Sequence, residues 1–159
     1  MGKIIFQNLL KKDINKIEID NQKFEVTSNE NFYSLSMLDD KEFYGLFYNY
    51  LFVHVNKENT IKSVTIHFNK LVDKVFYESF ILDFGKPDTI QVVKKVEVVS
   101  EESFIDNSIK KNVKKGFLET REGRFEENPL FIVWNKKSYE IKVFLRHNEN
   151  RSNITFMLI

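Results

Sequence analysis

Apolar and polar positions alternate along most of this chain, and a period of two predicts strands. Leu51 and Val53 share one face of a first run, and Val64 and Ile66 share one face of the next. A turn centred on Glu58-Asn59 sets Val53 opposite Val64 and Leu51 opposite Ile66, making that face core. Upstream, NKIEIDNQKFEV predicts a hairpin turning at Asn21-Gln22, with Ile19 against Phe24 and Ile17 against Val26, and Tyr33, Leu35 and Met37 alternate in the run that follows. Downstream, Leu130 to Trp134, then Tyr139, Ile141, Val143 and Leu145, then Asn153 to Ile159 predict a three-strand meander. The last run, ITFMLI, is apolar on both faces, which places it inside the sheet.

Helical spacing occurs in fewer places. From about Lys70 to Phe84, Leu71, Val72, Val75, Phe76, Ser79 and Phe80 form one stripe, with Asn69 placed to cap the start. Gly85, expected in a left-handed conformation, and Pro87 end it. A second helix is predicted after Ser100: Glu101 and Glu102 suit the positive end of its dipole, Lys110, Lys111, Lys114 and Lys115 the negative end, and Ile105, Ile109, Val113 and Phe117 recur every four residues, with hairpin arms as the alternative for its flanks. Gly2 to Lys12 predicts a third through Ile5 and Leu9, and Phe6 and Leu10, with a strand over Lys3 to Gln7 as the alternative.

Composition narrows the picture. A chain of 159 residues that is 42% hydrophobic can bury the core of one folded domain. Lys and Arg number 24 against 23 Asp and Glu, so the excess positive charge that draws proteins to phosphate backbones is missing and no nucleic-acid partner is expected. Without Cys there is no disulfide, thiol nucleophile or Cys-based zinc site. The absence of Ala beside abundant Lys, Asn, Ile and Phe points to an AT-rich, bacterial genome, which weakens Lys or Phe richness as a sign of function. No run approaches the length of a membrane span, and the start lacks a signal-peptide pattern. A cytoplasmic protein is expected, or a periplasmic one if a leader has been removed.

The chemistry-bearing candidates lie opposite the core set. Tyr48, Tyr50, Phe52 and His54 face Ser63, Thr65 and His67, while Phe47 is assigned to the core. Such amphipathic rings serve either under a covering helix or loop or as an open recognition surface. His54 stands opposite Ser63, four residues short of His67's position, so about 13 Å separates the two and they cannot share a metal. No cofactor is expected. Glycine-rich phosphate loops, nucleophile elbows and H-E-x-x-H are missing, leaving only an active site dispersed along the chain as an enzymatic option. From Glu101 to Asn128, Lys110, Lys111, Lys114, Lys115, Arg121 and Arg124 balance seven carboxylates, which predicts a solvated helical insertion at about 100–128 or a mixed-charge protein contact through Lys110, Lys114, Arg121 and Arg124.

A helix ending in FGKPD, followed by LFIVWNKKSYEIKVFL and NITFMLI, resembles small bacterial inhibitor-like and immunity proteins, in which a helix packs on one face of an antiparallel sheet. The resemblance covers residues 50 to 159 and transfers no residue roles. The expected fold is therefore α+β: one domain over 1–159, an antiparallel sheet with two to three helices mainly on one face. The expected function is non-enzymatic protein binding, in the form of an immunity protein that occludes a toxin. The alternative is a cell-envelope domain that holds a small molecule or peptide on Tyr48, Tyr50 and Phe52.

Overall fold

The computed structural model describes residues 4–159. Two 3-10 turns, Phe6–Leu9 and Ile14–Lys16, lead into a small hairpin of β1 (Glu18–Ile19) and β2 (Gln22–Lys23). Then come β3 (Glu25–Val26), β4 (Phe32–Phe43), β5 (Leu46–Val55), β6 (Ile61–Phe68), helix α1 (Lys74–Phe84), β7 (Thr89–Asp106) and β8 (Ile109–Glu122). The meander β9 (Phe131–Asn135), β10 (Tyr139–Arg146) and β11 (Arg151–Leu158) follows. All but β1 and β2 join one antiparallel sheet in the order β3-β4-β5-β6-β11-β10-β9-β7-β8. β11 thus lies in the interior of the sheet, as its two apolar faces predict.

This corrects the expected fold class. Strands make up 58% of the structure, and α1 is the one helix of seven or more residues among those described, so the fold is β-rich and lacks the two to three helices of the α+β expectation. The predicted helix after Ser100 is the β7–β8 hairpin, and its spacing explains the error. A repeat of four fits a helical turn and also two strand periods, so Ile109, Val113 and Phe117 share one face of β8. The charges placed to suit a helix dipole instead pair across strands, Lys114 with Glu101 at 3.5 Å and Lys111 with Asp106 at 2.5 Å. Asn107 and Ser108, at φ 48° and 65°, form the turn. Gly116 permits a close crossing: a Cβ there would lie 2.1 Å from the carbonyl oxygen of Glu97.

Three smaller expectations also shift. The described part of the predicted N-terminal helix is the short turn Phe6–Leu9, with Phe6 and Leu10 buried as their pairing implied; residues 1–3 lie outside the described residues. The first hairpin turns at Asp20-Asn21, both at positive φ, so Ile19 opposes Gln22, not Phe24, and Val26 pairs with Tyr33. Helix α1 starts one turn late, because the Asp73 carboxylate, not Asn69, accepts the backbone N–H of Phe76 (2.9 Å). Gly85 has the expected positive φ of 76°, but with ψ −175° it is extended, a region open almost solely to glycine.

One face of the sheet carries the core. Leu51, Val53, Val64, Ile66, Ile132, Trp134, Ile141, Val143, Ile154 and Phe156 are buried, with Val53 opposite Val64 and Leu51 opposite Ile66 as the alternation predicts. Phe76 and Phe80 of α1 close over them, Phe80 meeting Trp134 edge-on at 5.0 Å, and the Trp134 indole N–H donates to the Gly85 carbonyl (2.8 Å). Phe6 covers the other end, stacking on Phe156 and edge-on to Phe43 and Tyr48. Each such side chain contributes about 1.5–3 kcal/mol of burial.

Candidate functional site

The alternation that buries one face presents a second, and the sheet order lays it out in rows. One row runs Ser34, Phe52, Thr65, Thr155, Lys142, Val133. Beside it run Ser36, Tyr50, His67, Asn153, Phe144 and Phe131. Phe32 stacks on Phe52 (5.3 Å) and on His54 (4.7 Å), Tyr50 meets His67 edge-on (5.4 Å), and Lys142 lies over the Phe131 ring (4.5 Å). The Thr65 and Thr155 hydroxyls bond at 2.8 Å. Side chains of these rows remain partly exposed, because α1 and the N-terminal turns pack on the opposite face. Among the described residues, no helix or loop covers this face.

Tyr50, Phe52, His54 and His67 stand where the alternation puts them; Tyr48 and Phe47 do not. Tyr48 is 4% exposed, inside the core, whereas Phe47 is 65% exposed. The cause is a bulge: Ser36 opposes Tyr50 and Lys41 opposes Tyr48, so Met37 to Asp40 of β4 stand against Asn49 alone. On β5 the inward set passes from Leu46 and Tyr48 to Leu51 and Val53, an odd step that reverses every side chain before Asn49. The β1–β2 hairpin holds the bulge: the Gln22 amide donates to the Ser36 carbonyl (3.2 Å) and Lys41 pairs with Asp20 (2.5 Å). Burial, with the Asp20 charge added, pushes the Tyr48 phenol up to about 12.

Phe32, Phe131, Phe144, Lys142 and Asn153 also belong to this face. Phe32 joins it through the pairing of β4 with β5. The alternation of the others with buried neighbours is plain in the sequence, but only the placement of β11 between β6 and β10 brings them to the same face as Tyr50.

The charged candidates lie elsewhere. Lys110 and Lys114 project from β8, Lys114 tied to Glu101. The Arg121 guanidinium holds Glu127 at 2.6 Å, keeping that carboxyl below its usual range, while the Arg124 backbone N–H donates to the same side chain. Between β5 and β8 stand β6, β11, β10, β9 and β7, a separation of about 29 Å at the usual strand spacing. The aromatic face and the charged hairpin are two regions, not one site.

Chemically, the face offers stacking and hydrogen bonding. His54 opposes Ser63 and His67 opposes Tyr50, the offset that keeps the imidazoles apart. The described residues contain no group of three or more His, Cys, Asp or Glu that could hold a metal ion. Burial, with the charge of Arg146, lowers the His67 pKa below 6.5, so its ring is neutral at pH 7. A depressed folded-state value means that the unfolded chain takes up the proton first. His67's contribution to stability is therefore complete above pH 6.5 and lost as the pH falls. Thermal melts between pH 7.5 and 5 should show a fall in stability that is shallower in His67→Gln; parallel curves would assign the acid sensitivity to other groups.

A small cleft of about 360 Å³ opens on the other side, where Tyr44, at the β4–β5 turn, hydrogen-bonds Asp83 of α1. No helix among the described residues is long and apolar enough to cross a membrane. No family model, curated protein or solved structure matches the chain.

Proposed function

We propose that this chain is a non-catalytic protein-binding module that engages its partner through the uncovered face bearing Tyr50, Phe52, His54 and His67. The observation that carries this reading is the packing of aromatic rings on a face that no helix or loop covers among the described residues. The outer face of an antiparallel sheet is ordinarily polar. Here Phe32, Phe52 and His54 are already stacked, so a partner would meet rings that have little rotamer freedom left to lose. Aromatic rings are enriched at protein interfaces, and the polar tips of Tyr50 and the neutral His67 can hydrogen-bond a partner. Occlusion of a toxin is a narrower form of this reading. Its ground was an architectural resemblance alone, which transfers no function, and we keep the coarser statement.

Tyr50→Ala should weaken partner capture about thirtyfold, near 2 kcal/mol, as expected for an aromatic anchor, while leaving the melting temperature within a few degrees of wild type. Quantitative pull-down at matched folded concentration, together with a thermal melt, separates the two effects. Capture should also survive moderate salt, because ring burial is not screened. Lost stability with undiminished capture would overturn the proposal.

A further inference from the structure

Beyond Gln91, strand β7 leaves the body of the sheet. Its pairing with β9 covers Thr89 to Gln91 only, while its pairing with β8 continues to Asp106. From Val92 to Asp106, one hydrogen-bonding edge of β7 has no strand beside it among the described residues. Val96, Val98 and Val99 on this projecting ribbon are 65%, 54% and 62% exposed. Isolated two-stranded ribbons are marginal in water, and a long apolar free edge invites another strand.

We infer that this edge pairs with a second copy of the chain, β7 running antiparallel to its counterpart about a two-fold axis between Val98 and Val99. Three observations converge on that register. The sequence around this point, KKVEVVSEE, carries Lys94 and Lys95 on one side and Glu101 and Glu102 on the other, so reversing the strand sets cations against anions. In antiparallel pairing Lys95 falls opposite Glu102 and Lys94 lies diagonal to Glu101, and the axis generates each contact twice. Facing also agrees: Lys95 and Glu102 pair with Glu119 and Val113 of β8, which are an even number of residues apart, so the register shift between Val98 and Ser100 brings them to the same face. Finally, Val99 is the middle residue of the free edge, so the second strand fills the gap up to the point where β9 begins.

The other edge of the ribbon is closed to the same use. Antiparallel self-pairing of β8 about its lysine-rich half sets Lys110, Lys111, Lys114 and Lys115 near one another, the usual way a strand edge is kept unpaired. Within one copy Lys94 pairs with Glu119 (2.7 Å), Lys95 with Glu97 (3.1 Å) and Glu101 with Lys114 (3.5 Å). These are exposed pairs that hold little energy and exchange readily.

Sedimentation velocity over a concentration series, on the full chain, tests the register. Wild type should be a dimer. Lys95→Glu and Glu102→Lys should each weaken dimerisation tenfold or more, since each places like charges opposite one another twice. The double variant Lys95→Glu/Glu102→Lys should return to within about threefold of wild type. Circular dichroism should show all three variants folded, since the ribbon lies outside the core. A wild type that stays monomeric at about 100 μM, a dimer indifferent to both reversals, a double variant no better than the singles, or open-ended association through β7 on β8 would each overturn the inference. These substitutions leave the Tyr50 face untouched, so failure here is distinguishable from failure of the proposed function.

Discussion

Replacing Phe80 by alanine is expected to lower the unfolding free energy by about 3–5 kcal/mol. Phe80 is 0% exposed and stacks on Phe76 (5.4 Å) and Phe84 (4.3 Å), with Tyr44 and Trp134 edge-on at 5.2 and 5.0 Å. Four rings cannot all collapse into the space one leaves, so the cavity persists and adds to the lost transfer energy. For a chain of this size the melting temperature should fall by roughly 6–20 °C. Val75, on the exposed side of the same helix, is the control: Val75→Ala should change stability by less than about 0.5 kcal/mol. Urea titration of both variants checks the pair, and a loss below about 1 kcal/mol for Phe80→Ala would mean that α1 does not clamp the sheet through this ring.

A second contrast tests the reversal on β5. Tyr48→Ala should cost about 3 kcal/mol, because the ring sits between Phe6 (5.8 Å) and Phe68 (6.1 Å) in the core. Its neighbour Phe47 should be replaceable by alanine within about 0.5 kcal/mol. Uninterrupted alternation from Leu51 back to Phe47 demands the opposite order. Denaturation of the two single variants therefore decides whether the strand is interrupted at Asn49.

The same pair shows how far the sequence could be read. Register was legible in the β5–β6 hairpin, Val53 opposite Val64 and Leu51 opposite Ile66, and alternation also showed the inward set of β10, Ile141, Val143 and Leu145. It failed at Asn49, because the residues that make the bulge, Met37 to Asp40, lie on the partner strand and are held there by Gln22 and Asp20 of a third segment. Nothing local to Tyr48 records those contacts. In the ribbon the failure was one of period. Ile109, Val113 and Phe117 satisfy a helix as well as a strand, and the discriminating signal was the β-branched run through Val92, Val93, Val96, Val98 and Val99, which no helix favours. The aromatic face was half visible. Tyr50, Phe52, His54 and His67 came from one hairpin, but Phe144, Phe131 and Lys142 joined them only through a strand order that alternation cannot supply.

That strand order also sets the route by which the molecule can form. β11 lies between β6 and β10, and the hydroxyl bond between Thr65 and Thr155 joins residues 90 positions apart. Until β11 of the meander docks on β6, the edges of β6 and β11 are raw and apolar, each able to recruit a strand from a neighbouring molecule. Closing that gap needs a long-range encounter, whose loop entropy is lost before any pairing compensates it. Assembly of the sheet is thus gated by its central strand, and folding belongs to the slow regime of milliseconds to seconds that non-local β-sheets occupy.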